Sequence, residues 1–126
     1  MLEKFFDGYI ECALWSSVDG DGDPMEDNYD RNAIDPDTFK KMYEECENFY
    51  KENLEVLMSF CNELNKNIET AWEYAGHDFW LTRNGHGAGY FDRGVSDEVS
   101  EVLTKASKAA GTSDLYIGDD GYVYVM

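Results

Sequence analysis

Between Phe39 and Trp72 apolar residues return every three or four positions, at Met42, Tyr43, Cys46, Phe49, Tyr50, Leu57, Cys61, Leu64 and Ile68, with no glycine or proline before Gly76. That is the period of one face of an α-helix. A single helix of that length would run about 57 Å at 1.5 Å per residue, too long for a compact domain of this size. The chain is therefore predicted to break near Lys51–Asn53 or among Asn62, Asn65 and Asn67, giving two or three helices. Asp35 offers the N-cap of the first, Pro36 suits its first position, and Asp37 favours the positive end of its dipole.

Upstream, Leu2, Phe5, Phe6, Tyr9, Ile10, Ala13 and Leu14 share a helical face, with Glu3, Lys4, Asp7 and Glu11 opposite. Gly8 costs this helix about 1 kcal/mol relative to alanine. Residues 16–35 lack apolar periodicity and are dense in turn formers, so they read as a long acidic loop. After His77 the pattern changes. HDFWLT is rich in aromatic, β-prone residues, Asn84-Gly85 is a strong hairpin turn signal, and GAGYFD follows, so a hairpin is predicted over about 77–92. Its register would set Arg83 opposite His86, Leu81 opposite Ala88, Trp80 over Gly89, and His77 opposite Asp92. A helix from Ser96 to Gly111 comes next. A second hairpin over about 114–126 turns at Gly118-Asp119-Asp120-Gly121. The expected fold is a single α+β domain spanning 1–126, in which the N-terminal and central helices pack with an antiparallel sheet made from two β-hairpins flanking one helix.

The chain carries 27 Asp and Glu against 10 Lys and Arg, a formal net charge of −17. Solubility needs a magnitude of only about 2 to 8 in a small domain, so the excess calls for another cause. Residues 1–63 hold 17 of the carboxylates against five cations, and residues 64–126 hold ten against five. Such a field repels nucleic acid and anionic lipid and attracts basic protein surfaces. The 43% hydrophobic and 15% aromatic content argues for a packed interior rather than disorder. No signal peptide or membrane-length apolar run is read. Cys12, Cys46 and Cys61 give an odd count without CxxC spacing, which fits free thiols in a cytoplasm.

Motifs of specific chemistry are incomplete. Asp19, Asp21 and Asp23 match the opening of an EF-hand loop, but Pro24 stands where glycine is required and Asp30 where a bidentate Glu belongs. NGHGAG lacks both the P-loop Lys-Ser/Thr and the GxGxxG spacing. No GxSxG elbow occurs, and the cysteines lie on apolar helical stripes. Neither a metal nor a cofactor is expected, no catalytic residue is assigned, and an enzyme is the less favoured reading.

YIECALWSS near the start, DFWLTRNGHGAGYFDRG, and DLYIGDDGYVYV near the end together resemble a group of small uncharacterised proteins encoded by tailed bacteriophages. The resemblance implies a phage origin and a bacterial cytoplasmic setting, and it transfers no catalytic residue.

The favoured function is that of a non-enzymatic accessory protein whose acidic face binds a basic surface of a host or defence protein, with imitation of DNA as one form of that binding. Its expected face comprises Asp19, Asp21 and Asp23 in the loop with Glu44, Glu45, Glu47, Glu52 and Glu55 on the helices, although Lys40, Lys41 and Lys51 interrupt the row. The alternative is a small-ligand-binding or hydrolytic protein whose pocket joins Trp80, Arg83, His86, Tyr90 and Asp92. A third reading takes the acidity as adaptation to a salty cytoplasm and expects evenly spread carboxylates.

Overall fold

A computed structural model describes residues 1–126. The molecule is mostly helical: α1 (Leu2–Ser16), α2 (Pro36–Glu52), α3 (Leu54–Leu64), α4 (Ile68–Arg83) and α5 (Asp97–Ala109), with a two-stranded antiparallel sheet of β1 (Leu115–Ile117) and β2 (Val123–Val125). Short 3-10 turns cover Met25–Asp27, Arg31–Ala33 and Tyr90–Asp92. The expected sheet of two hairpins does not form, because only the second hairpin exists.

The central helical stretch breaks at both predicted places. Asn53 ends α2, its amide donating to the Phe49 carbonyl at 3.0 Å. Asn65 ends α3 in the left-handed conformation, φ 53°, which asparagine tolerates better than most residues. Asn67 then caps α4, its Oδ1 accepting from the Glu69 and Thr70 amides. Asp35 caps α2 by accepting from the Thr38 amide at 3.1 Å, with Pro36 in the first turn.

Residues 77–92 are the main correction. The apolar period runs on through Gly76, since Trp72, Ala75, Gly76, Phe79, Trp80 and Arg83 are all buried at helical spacing. HDFWLT is therefore the last part of α4, and the pairings expected of Arg83, Leu81, Trp80 and His77 across a hairpin are absent. Asn84-Gly85 ends the helix instead of turning a hairpin. The Asn84 side chain donates to the Trp80 carbonyl at 3.0 Å and accepts from the Ser113 amide at 2.7 Å, and Gly85 takes φ 65°. A glycine with positive φ serves a helix terminus as well as a hairpin.

Gly76 and Gly8 explain why α1 and α4 form the most extensive helix pair. A Cβ on Gly8 would strike the Glu73 carbonyl, and one on Gly76 would strike the Phe5 carbonyl. The two backbones therefore approach without side chains between them, and packing offsets the intrinsic cost of glycine in a helix. Around this crossing Phe5, Tyr9, Phe49, Phe79 and Trp80 build an aromatic centre, with the Phe49 and Phe79 rings stacked at 3.9 Å. They belong to a core cluster of 26 buried residues.

The predicted helix from Ser96 and the C-terminal hairpin are present. In the hairpin Leu115 pairs with Val125, Tyr116 with Tyr124 and Ile117 with Val123. Val123 also forms a parallel bridge with Ile34, docking the hairpin against the start of α2. No helix is long and apolar enough to cross a membrane.

Candidate functional site

The residues proposed for a ligand site on the 77–94 block do not converge on a cavity. Trp80 is buried and donates its indole N–H to Ser16 Oγ at 2.8 Å, and Tyr90 is buried with its hydroxyl donating to the Ala75 carbonyl at 2.6 Å. His86 and Asp92 are exposed on the segment after α4. Arg83 is buried at the end of α4, where its Nε and Nη2 donate to the last carbonyls of the α5 turn, Gly111 at 2.8 Å and Ala110 at 3.1 Å. Its Nη1 donates to the Tyr9 hydroxyl at 2.9 Å and lies 2.9 Å from Glu45 Oε2. One guanidinium thus ties together α1, α2, α4 and α5. Burial works against its charge, but Tyr9 and Glu45 outweigh that and hold it protonated above its ordinary pKa.

A second interior pair was not singled out from the sequence. Asp78, fully buried on α4, receives both Nε (2.8 Å) and Nη2 (2.6 Å) of Arg93, the fork geometry of a strong charge-assisted contact. The bond to Asp78 raises the Arg93 pKa further. The histidine beside it, His77, keeps its Nδ1 3.6 Å from Asp78 Oδ1, and that buried nitrogen has no hydrogen-bond partner. These groups hold the Tyr90–Arg93 turn against α4.

The eight residues proposed as an acidic face separate into distinct roles. Asp19 turns its carboxylate onto its own loop, accepting from the Asp21 amide at 2.9 Å and the Asp23 amide at 3.1 Å. Asp21 and Asp23 are exposed, and no group of three or more His, Cys, Asp or Glu side chains is arranged to hold a metal ion. On α2, Glu45 and Glu47 lie about 200° apart around the helix axis at about 100° per residue. Glu45 turns in to Arg83, whereas Glu47 meets Lys51 at 3.6 Å on the other flank. Glu44, Glu52 and Glu55 remain exposed, with Lys40 and Lys41 on the same helix as Glu44. Beside them an open cleft of about 510 Å³ between α2 and α5 is lined by Glu45, Glu52, Asn48 and the small residues Ala106, Ala109 and Ala110.

A further group of carboxylates lies along the outer face of α1. On one side Asp7 and Glu11 face Glu26 and Asp30 of the acidic loop across a groove of about 310 Å³ that also contains Arg31. On the other, Glu11 faces Glu73, Tyr74 and His77 of α4 across a slot of about 220 Å³. Glu11 lines both depressions, so the two form one strip. Glu69 adjoins Glu73 one turn away on α4. Two cations pair with three of these six carboxylates, Arg31 at 2.8 Å from Asp7 and Lys4 at 3.7 Å from Glu69 and 4.0 Å from Glu73, while Lys66 and Arg93 lie over the Tyr74 ring at 5.3 and 4.8 Å. At the strip's end Trp15 is 54% exposed, its ring 5.8 Å from that of His77. A concave acidic strip ending in an exposed indole suits ammonium and guanidinium groups, through charge and through the ring face.

Part of this strip was visible in the sequence, where Asp7 and Glu11 share the polar face of the first helix with Glu3 and Lys4. What faces it, Glu26 from the loop and Glu73 from α4, depends on tertiary packing. No family model, no curated protein and no solved structure matches the chain, so the likeness to phage proteins remains an expectation drawn from the quoted motifs.

Proposed function

We propose that this chain is a binding protein rather than an enzyme, and that the acidic strip on α1 engages a basic surface of a protein partner. The observation that carries the reading is the concentration of Asp7, Glu11, Glu26, Asp30 and Glu73 around two adjoining depressions, among which Glu11, Glu26 and Asp30 have no ion-pair partner. The placement is directed: these carboxylates flank concave surface beside an exposed tryptophan, whereas adaptation to salt needs no such concentration. On the resemblance to phage proteins expected from the sequence, the partner is a host or defence protein in a bacterial cytoplasm, and a DNA-binding protein is the class whose basic surface the strip would occupy.

The test is capture of partners from bacterial lysate on the immobilised protein at rising salt, with duplex DNA added as competitor. Retention of a basic protein that is released as salt rises from about 0.1 M to 0.5 M, where the Debye length falls below about 5 Å, is the expected result. Displacement by duplex DNA identifies mimicry as the mode. Retention indifferent to salt contradicts the proposal.

A further inference from the structure

A different surface is apolar. Leu54 and Met58 on α3, Ile68 and Trp72 on α4, Met1 at the start of α1 and Tyr50 beneath them line a groove of about 380 Å³. Four of these side chains stand in solvent although they adjoin one another: Met1 is 45%, Leu54 37%, Met58 50% and Ile68 52% exposed. Leu54 and Met58 are one helical turn apart, as are Ile68 and Trp72, so each wall offers about 6 Å of apolar ridge. The groove therefore takes the side chains from about one turn of a helix, and the unbranched Met1 and Met58 let its walls adapt.

Charge selects the occupant. A second copy of the chain brings another −17, and an anionic lipid surface is repelled by the same field. On α3, Glu55 follows Leu54, is exposed and has no ion-pair partner. Of the nearby cations, the Met1 ammonium donates to the Tyr50 hydroxyl at 3.3 Å, Lys4 bridges Glu69 and Glu73, Lys66 is held over the Tyr74 ring at 5.3 Å, and Lys51 pairs with Glu47.

We propose that the α3–α4 groove is a docking site for a cationic amphipathic helix of a partner protein, with apolar anchors at i and i+3 or i+4 in the groove and Lys or Arg flanks toward Glu55. The proposal goes beyond the α1 strip and does not depend on it, since the groove's apolar walls contain none of the strip's residues.

The test titrates the full-length protein with a fluorescent Leu/Lys amphipathic peptide of about 14 residues, roughly four turns. Controls are a scrambled peptide of the same composition and a Leu/Glu amphipathic peptide. The expected result is saturable one-to-one binding of the Leu/Lys helix, at least tenfold tighter than either control. Met58→Ser/Ile68→Ser should weaken it at least tenfold, with an unchanged far-ultraviolet spectrum showing that the fold is retained. Glu44→Gln, on α2 outside both surfaces, should leave it within twofold. Equal binding of the scrambled peptide, no binding at all, or indifference to Met58→Ser/Ile68→Ser would overturn the proposal. So would self-association, or binding to phosphatidylglycerol vesicles, that disappears in the same double variant.

Discussion

Asp78 on α4 and Glu11 on α1 belong to the most extensively packed helix pair in the molecule, yet their surroundings differ completely. Asp78 is fully buried and both its oxygens are taken by Arg93. Glu11 lies on the outside between two depressions, with no cation within 4 Å. Across the molecule the same division holds. The two inward-facing arginines, Arg83 and Arg93, are matched by Glu45 and Asp78, while most of the remaining carboxylates face solvent unpaired. Matched charge ties elements together. Unmatched charge is left for a partner, and it also costs the folded state through self-repulsion.

Removing one member of an interior pair breaks this contrast most severely. Arg93→Met leaves Asp78 buried without its counter-ion, and a loss of about 3–5 kcal/mol in denaturant unfolding is expected. Asp78→Leu/Arg93→Met should recover most of that loss, because a neutral apolar pair leaves no isolated charge behind. A single-variant loss below about 1 kcal/mol would show that the pair is not integral to the fold.

Alkaline pH probes the interior without mutation. Burial pushes the Cys12 and Cys61 thiols up to about 12, and it raises Cys46, Tyr9 and Tyr90 as well. Above the ordinary thiol value of about 9 the unfolded chain gives up protons that the folded chain keeps, so stability is full below that pH and falls as pH rises toward 12. Thermal melts should show a loss of about 2 kcal/mol for each of Cys12 and Cys61 by about pH 10.5. A melting temperature constant from pH 8 to 10.5 would mean that these thiols are open to solvent.

The smallest effect on stability belongs to the strip. Glu11→Gln/Glu26→Gln/Glu73→Gln should change the unfolding free energy by about 0.5 kcal/mol or less, and in the stabilising direction, because it relieves repulsion without removing an interior contact. A loss above about 1 kcal/mol would place these carboxylates among the groups that hold the fold.

Local signals made much of the architecture readable. Asp35-Pro36 and Asn67 mark helix starts, Asn53 and Asn65 mark helix ends, and Gly118-Asp119-Asp120-Gly121 marks a turn between two short strands, each acting through its own backbone within a few residues. The stretch 77–92 was misread because Asn84-Gly85 ends a helix as readily as it turns a hairpin, and because a fully buried aromatic helix resembles a strand in composition. The spacing differs from that of a strand: Trp72, Ala75, Gly76, Phe79, Trp80 and Arg83 continue one helical period across the glycine. Gly8 likewise reads as a defect until Gly76 is brought against the same helix. The charge of the first half was legible as an amount, but its geometry was not. Glu45 and Glu47 lie near each other in sequence and on different flanks of α2, while Glu11 and Glu73 are far apart in sequence and meet across one slot.

The central claim is that the location of the charge, rather than its total, recruits the partner. It is tested most directly by comparing two variants of equal net charge in salt-dependent capture of the same basic partner: Glu11→Gln/Glu26→Gln/Glu73→Gln on the α1 strip and Glu44→Gln/Glu52→Gln/Glu55→Gln on the α2–α3 surface. The account predicts that the strip variant loses the partner at least tenfold while the α2–α3 variant retains it within about threefold, the difference being about 0.7 kcal/mol or more. Equal loss in both variants, or loss confined to the α2–α3 variant, would contradict it.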